Sequence, residues 1–137
     1  MTTRGVRGAT TAARNDAAEI GERSVELVRV LVELNGIRPE DLASAIFTVT
    51  DDLDAEFPAK ALRSLPGWDD VPLLCSKEIA VPGSLPRCIR VLLHWNTDVA
   101  QSGARHAFLR GARDLRPAWA VRIPGDEDDG APRKDRR

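Results

Sequence analysis

Apolar positions repeat with a helical period over one long stretch only, residues 15–35. There Ile20, Leu27, Leu31 and Leu34, with Val28 alongside, form one stripe, and Glu19, Glu22, Arg23, Glu26, Arg29 and Glu33 form the opposite, solvated one. Asp16 followed three residues later by Glu19 reads as a capping box with Asp in the Ser/Thr role, and Asn35-Gly36 as the stop. Elsewhere the pattern is that of strands. Residues 2–10 form a first, glycine-weakened strand in which Gly5 and Arg7 share a face; residues 44–50 are rich in β-branched side chains. Residues 71–77 and 88–97 follow as strands, the last being the longest. Pro39 starts one short helical turn, Pro58 opens a short helix through about residue 65, and another short helix is expected over residues 102–110. Residues 81–86 are a turn-rich connection. The order β-α-β-α-β-β-α predicts an α+β fold, a mixed β-sheet with helices packed on one face.

A length of 137 residues with 42% hydrophobic residues suits a single domain with a real core. Residues 1–123 are read as that domain. Residues 124–137 carry no large apolar side chain and are expected to be a disordered, charged C-terminal tail. The net charge of -1 lacks the basic excess of a nucleic-acid binder. No apolar run approaches the ~20 residues of a membrane span, and the first residues lack the apolar core of a signal peptide, so a cytoplasmic protein that binds no membrane is expected. Cys75 and Cys88 would then stay reduced, as small, partly buried apolar side chains.

The chemistry that the residues suggest is anion binding. Arg90 lies inside Cys88-Ile89-Arg90-Val91-Leu92-Leu93 with apolar neighbours on both sides. Such an arginine is either a structural ion pair or water-facing residue, or a fork for a carboxylate, and its own strand leaves both open. Arg7 stands among Gly5, Gly8 and Ala9, which leave room above the sheet, and Arg63 lies on the short helix after Pro58. Three arginines outside any basic run fit a small polyanion better than a nucleic-acid surface. Glu78, at the end of a strand, is a solvated loop acid or an acceptor for a ligand hydroxyl. The acidic loop 51–56 fails as a calcium loop: counted from Asp52, Phe57 stands where glycine is needed and Arg63 where glutamate is. His94 and His106 lack the spacing of a helical zinc pair, and Gly-x-Ser-x-Gly and phosphate-binding glycine loops are absent. A Cys75/His106 nucleophile pair stays open, with nothing local in its favour.

Several short blocks, in this order and spacing, resemble the AroH-class chorismate mutases. They are Arg4-Gly5-Val6-Arg7-Gly8-Ala9-Thr10-Thr11, Phe57-Pro58-Ala59-Lys60-Ala61, Gly67-Trp68, Val71-Pro72, Cys88-Ile89-Arg90-Val91, Thr97-Asp98-Val99, Arg105-His106 and Leu115-Arg116-Pro117. The resemblance covers residues 1 to about 117 and leaves the tail out. It implies a homotrimer with a central barrel-like core, active sites at subunit interfaces, and a rearrangement of chorismate to prephenate toward phenylalanine and tyrosine, without metal or organic cofactor.

Carried over to this chain, the resemblance gives Arg90 to a substrate carboxylate and the breaking ether oxygen, and Arg7 to a carboxylate. Glu78 would accept from the ring hydroxyl, with Cys75 in the same region. Phe57, Ala59, Leu74 and Leu115 would wall the ring, and Lys60, Arg63 and Arg116 would supply positive charge at the mouth. Two positions depart from the family: Phe108 stands where a tyrosine is usual, which removes a phenolic hydroxyl, and Leu74 where a small hydroxyl residue can occur. The alternative reading is a trimeric small-anion-binding or imine-deaminase-like module of similar build, which keeps Arg7 and Arg90 as carboxylate ligands.

Overall fold

The computed structural model describes residues 1–126. Five strands and one α-helix make the framework: β1 (Thr2–Thr11), α1 (Ala17–Asn35), β2 (Leu42–Val49), β3 (Leu73–Lys77), β4 (Cys88–Thr97) and β5 (Ala107–Phe108). The strands form one mixed sheet in the order β3-β2-β4-β1-β5. β4 runs antiparallel to β1 and β2, whereas β3 and β5 join the edges in parallel to β2 and β1.

The α1 stripe is the core. Ile20, Leu27, Val28 and Leu31 are fully buried and cluster with Val6, Phe47, Ile89, Val91 and Leu93 from the sheet. Each such side chain contributes about 1.5–3 kcal/mol on leaving water. The helix starts as the sequence predicts, for the Asp16 carboxylate accepts from the Glu19 N–H at 3.0 Å. It stops at Gly36, whose left-handed φ of 68° costs glycine nothing. The capping box is only half made. The Glu19 carboxylate reaches past Asp16 to the Ala13 N–H at 2.5 Å, with Arg14 at 3.5 Å. Glu19 is therefore buried and does not belong to the solvated stripe.

Two of the expected short helices change form. The one after Pro58 is a tight 3-10 turn, Lys60–Ser64. Residues 102–110 do not form a helix: a 3-10 turn at Gln101–Gly103 gives way to β5, which binds β1, and a second 3-10 segment follows at Arg110–Leu115. Pairing with β1 at Gly8 and Ala9 overrides the weak local preference there. Arg110 takes a positive φ of 52° and is anchored by a bidentate bond to Glu26 of α1 at 2.9 and 3.0 Å. That bond fixes the segment beyond β5 against the helix.

The cysteines are free thiols, Cys88 buried and Cys75 half-buried. Of the expected tail, residues 127–137 lie outside the described residues. Pro124 and Gly125 form a turn, and Asp126 is buried, accepting from the Ile123 N–H at 2.9 Å and from Arg113 at 2.5 Å. Among the described residues no helix is long and apolar enough to cross a membrane.

Gly8 marks where helix and sheet touch most closely. A Cβ there would meet Leu31 Cδ1 at 2.8 Å, Leu27 Cδ1 at 3.0 Å and Val91 Cγ1 at 3.1 Å. Gly8→Ala is expected to destabilise the fold by about 1–3 kcal/mol in urea unfolding, as overpacking does. Gly5→Ala, whose Cβ meets only Leu92 Cδ1 at 3.4 Å, is expected to leave the midpoint nearly unchanged. Equal midpoints for the two variants would place the tight contact elsewhere.

Candidate active site

Strand register assembles the site on the sheet face turned away from α1. Arg90 of β4 pairs with Thr48 of β2 on one side and with Ala9 of β1 on the other. Ala9 in turn lies beside Phe108 of β5. Partners across a ladder share a face, so Thr48, Arg90, Ala9 and Phe108 form one row. The adjacent row is Leu74, Ile46, Leu92 and Arg7. Ala9 is the small residue between Arg90 and Phe108, and it is fully buried beneath the Phe108 cluster. Phe108 itself is buried, packed with Ala9 and Ala112 under Leu85, Leu115 and Trp119.

Glu78 reaches this face because its N–H continues the β3 edge, donating to Val49 O at 2.8 Å. The Thr48 hydroxyl donates to its carboxylate. Thr48 carries no signal of this role in the sequence, since only the register brings it beneath Glu78. Arg90 Nε lies 3.6 Å from Glu78 Oε2, close enough for attraction and too far for a hydrogen bond. That Nε is buried and has no hydrogen-bond partner. Buried donors without partners are rare, and one facing a cleft is what a ligand acceptor would satisfy. The neighbouring Cys88 thiol is pushed up by burial, against a smaller opposing pull from Arg90, so it stays protonated at neutral pH.

Arg7 stands over the Phe108 ring, its guanidinium carbon 5.8 Å from the centroid. Burial pulls its pKa down, followed by repulsion from Arg90 and Arg116 and opposed by Glu78. A guanidinium remains a cation at neutral pH despite this. Part of the lowering, after burial, is repulsion from Arg90 and Arg116, which a dianion would relieve. Arg116 completes the set from the C-terminal segment, its guanidinium 3.7 Å from the Trp119 ring centroid.

The candidate residues fall into two grooves. Arg7, Thr48, Glu78 and Arg90 line a cleft of about 290 Å³ with Ile46, Val91 and Leu92, and Phe108, Leu115 and Arg116 adjoin its Arg7 end. Phe57, Ala59, Lys60, Arg63, Leu74 and Cys75 line a second groove of about 540 Å³ with Glu56 and Leu73. The two share no lining residue. Cys75 pairs with Phe47 and packs on the core side of β3, whereas Leu74 points to the other face. A larger groove of about 920 Å³ runs along the outer side of α1, where Glu22, Glu26, Glu33 and Glu56 stand against Arg23, Arg29 and Lys60 and leave no excess of positive charge for a dianion.

The other possibilities fall away on position. Cys75 and His106 sit at opposite edges of the sheet, four strand spacings or roughly 19 Å apart, so they form no nucleophile pair within one chain. The acidic loop is occupied by its own chain: both Asp52 oxygens accept from the Arg87 N–H at 3.0 Å, Asp54 takes Asn15 at 2.7 Å, and Glu56 takes Lys60 at 3.2 Å.

Comparison with known proteins agrees with this geometry. The family described as chorismate mutase type I matches residues 3–119. Chorismate mutase AroH of Thermus thermophilus is 50% identical over 115 residues, covering 83% of this chain and 93% of its own. Its Bacillus subtilis counterpart is 44% identical over 117 residues, covering 85% and 92%. A solved chorismate mutase from Clostridium thermocellum superposes with a TM-score of 0.79 at 48% identity, over 81% of this chain and 98% of that one. The anion-binding or imine-deaminating alternative finds no support among them.

Proposed function

The chain belongs to the type I chorismate mutase family, and on that premise we propose that its rearrangement of chorismate to prephenate takes place in the Arg7–Glu78–Arg90 cleft, closed by the second groove of a neighbouring copy. As an isomerase of aromatic amino acid biosynthesis, it breaks an ether C–O bond and forms a C–C bond within one molecule. The electrons move in a ring, so the reaction calls for no nucleophile and no general base, and we assign it no cofactor.

Two kinds of help remain for the protein. One is to hold the dianionic substrate in its compact reactive conformer, which removes an entropic part of the barrier. The other is fixed positive charge where the ether oxygen gains electron density. The observation that carries the reading is the unpartnered, buried Arg90 Nε beside two further arginines and one acid. In this reading Arg90 donates to the ether oxygen and a carboxylate, and Arg7 grips a carboxylate. Glu78, held by Thr48, accepts from the ring hydroxyl. Phe108 and Leu115 wall this half of the pocket. Without a phenolic hydroxyl, Phe108 contributes packing alone.

The second groove supplies Phe57, Ala59 and Leu74 against the ring, Cys75 near the hydroxyl, and Lys60 and Arg63 at the mouth, where Arg116 of the cleft joins them. A homotrimer with a barrel-like centre, formed by the sheet faces turned from α1, brings the two grooves together. Its support is apolar exposure at this rim, where Phe57 is 69%, Leu74 64%, Ile79 84% and Val81 57% accessible in the single chain. Two unpaired thiols fit a reducing, cytoplasmic setting.

The test is the loss of chorismate absorbance with purified protein, metal chelated and nothing else added. Saturable loss with prephenate as product is expected. A folded protein that leaves chorismate untouched overturns the reading.

A further inference from the structure

The Arg7 guanidinium acts from a backbone point, and that point has an unusual anchor. β5 pairs with β1 only at Gly8 and Ala9. One residue earlier, the Arg7 N–H finds no strand carbonyl and donates to His106 Nδ1 at 2.9 Å. The imidazole is held in turn: its ring lies 4.0 Å from that of Trp119, tilted by 39°. Trp119 also contacts the Phe108 ring edge-on at 5.7 Å and carries the Arg116 guanidinium. His106 thus links the backbone of one site arginine to the aromatic support of another.

We infer that neutral His106 is a positioning residue for the reaction, its Nδ1 lone pair fixing the strand at Arg7 so that the guanidinium meets the substrate carboxylate. This rests on reading the cleft as the chorismate site. Accepting at Nδ1 puts the imidazole proton on Nε2. A protonated imidazole has no lone pair and would set its own N–H against that of Arg7, so the anchor exists only while His106 is neutral.

The surroundings favour the neutral form. Burial, then Arg7 from β1, then Arg116 from the C-terminal segment hold His106 below its ordinary range. The unfolded chain therefore takes up this proton first. The stability that neutral His106 contributes is complete above the ordinary value near 6.5 and is lost as pH falls through the folded value. Positioning fades over the same window.

Two substitutions separate positioning from packing. Asn carries a neutral acceptor oxygen at the δ position, whereas Leu has a similar bulk and no acceptor. At about pH 8, His106→Asn is expected to keep kcat/KM within about threefold of wild type, and His106→Leu to lose about tenfold. Toward about pH 5, wild type should sink toward the Leu variant, while His106→Asn keeps its level relative to the Leu variant and so gains on wild type. Groups common to all three proteins cancel in the ratio.

A Leu variant equal to wild type, or a constant ratio of wild type to His106→Asn across that window, overturns the inference. The Arg7 amide resonance reads the bond without turnover: it should titrate in wild type and not in His106→Asn. A flat resonance in wild type sinks the inference even if the Leu variant does not fold. Absent chorismate turnover in wild type, with the resonance still titrating, sinks the reading of the cleft instead.

Discussion

Arg90→Ala is expected to lower kcat by about 10²–10³ or more, with little change in the unfolding midpoint. The expectation follows from how few contacts Arg90 makes within its own chain. It is a charged residue in an apolar strand, yet its Nε bonds nothing and its nearest carboxylate is 3.6 Å away. Arg90 and Glu78 keep 29% and 22% of their side-chain surface exposed, so water softens the loss of one partner. A structural ion pair of the buried kind would behave in the opposite way, because its loss strands a charge and costs stability.

The kinetic signature matters as much as the size. An interaction made with the ether oxygen grows along the reaction coordinate, so its loss appears in kcat. One made equally with substrate and transition state appears in KM. Arg90→Ala should therefore act largely on kcat, and Arg7→Ala largely on KM. Arg90→Lys is also expected to be poor, since an ammonium replaces a planar fork with a point charge. Wild-type kcat in Arg90→Ala, from a saturation series on folded protein, would sink the electrostatic mechanism.

What the sequence made legible is local. The α1 stripe, its Asp16 cap and its Gly36 stop follow from short-range rules, and β4 occupies the predicted residues 88–97. Arg90 stood out because one charge interrupts an apolar strand, and Arg7 because small residues surround it. Relations between distant segments were not legible. β5 is two residues long and gains its conformation from β1, about a hundred positions earlier, so its own residues read as helix. Thr48 matters only because register sets it under Glu78. Glu19 looked like a surface acid and is buried because Ala13 and Arg14 turn back onto it.

The candidate site shows the same division. Its apolar members came from resemblance, since Phe57, Ala59, Leu74 and Leu115 have nothing in their spacing that announces a pocket. The separation of that list into two grooves came only from the fold. A row of residues across four strands cannot be read from any one of them, and only the register sets Arg90 and Phe108 on either side of Ala9.

That separation makes a strong prediction. If each site combines the Arg90 cleft of one copy with the Lys60–Arg63 groove of the next, two inactive variants should restore each other. Arg90→Ala disables the cleft. Lys60→Glu with Arg63→Glu disables the groove, setting two negative charges against a dianion at positions exposed enough to leave the fold alone. Each protein is expected to be nearly inactive by itself. Co-expressed at equal levels, random assembly places an intact cleft opposite an intact groove at about one interface in four. The mixture should then recover about a quarter of wild-type kcat per site, a gain of about 25-fold or more over either parent if each has lost at least 10². Activity confined to the sum of the parents, in oligomers shown to contain both chains, would put the whole site within one chain. The two unshared linings would then have to close on each other by a movement of residues 57–63. A protein that is active as a monomer would remove the composite site outright.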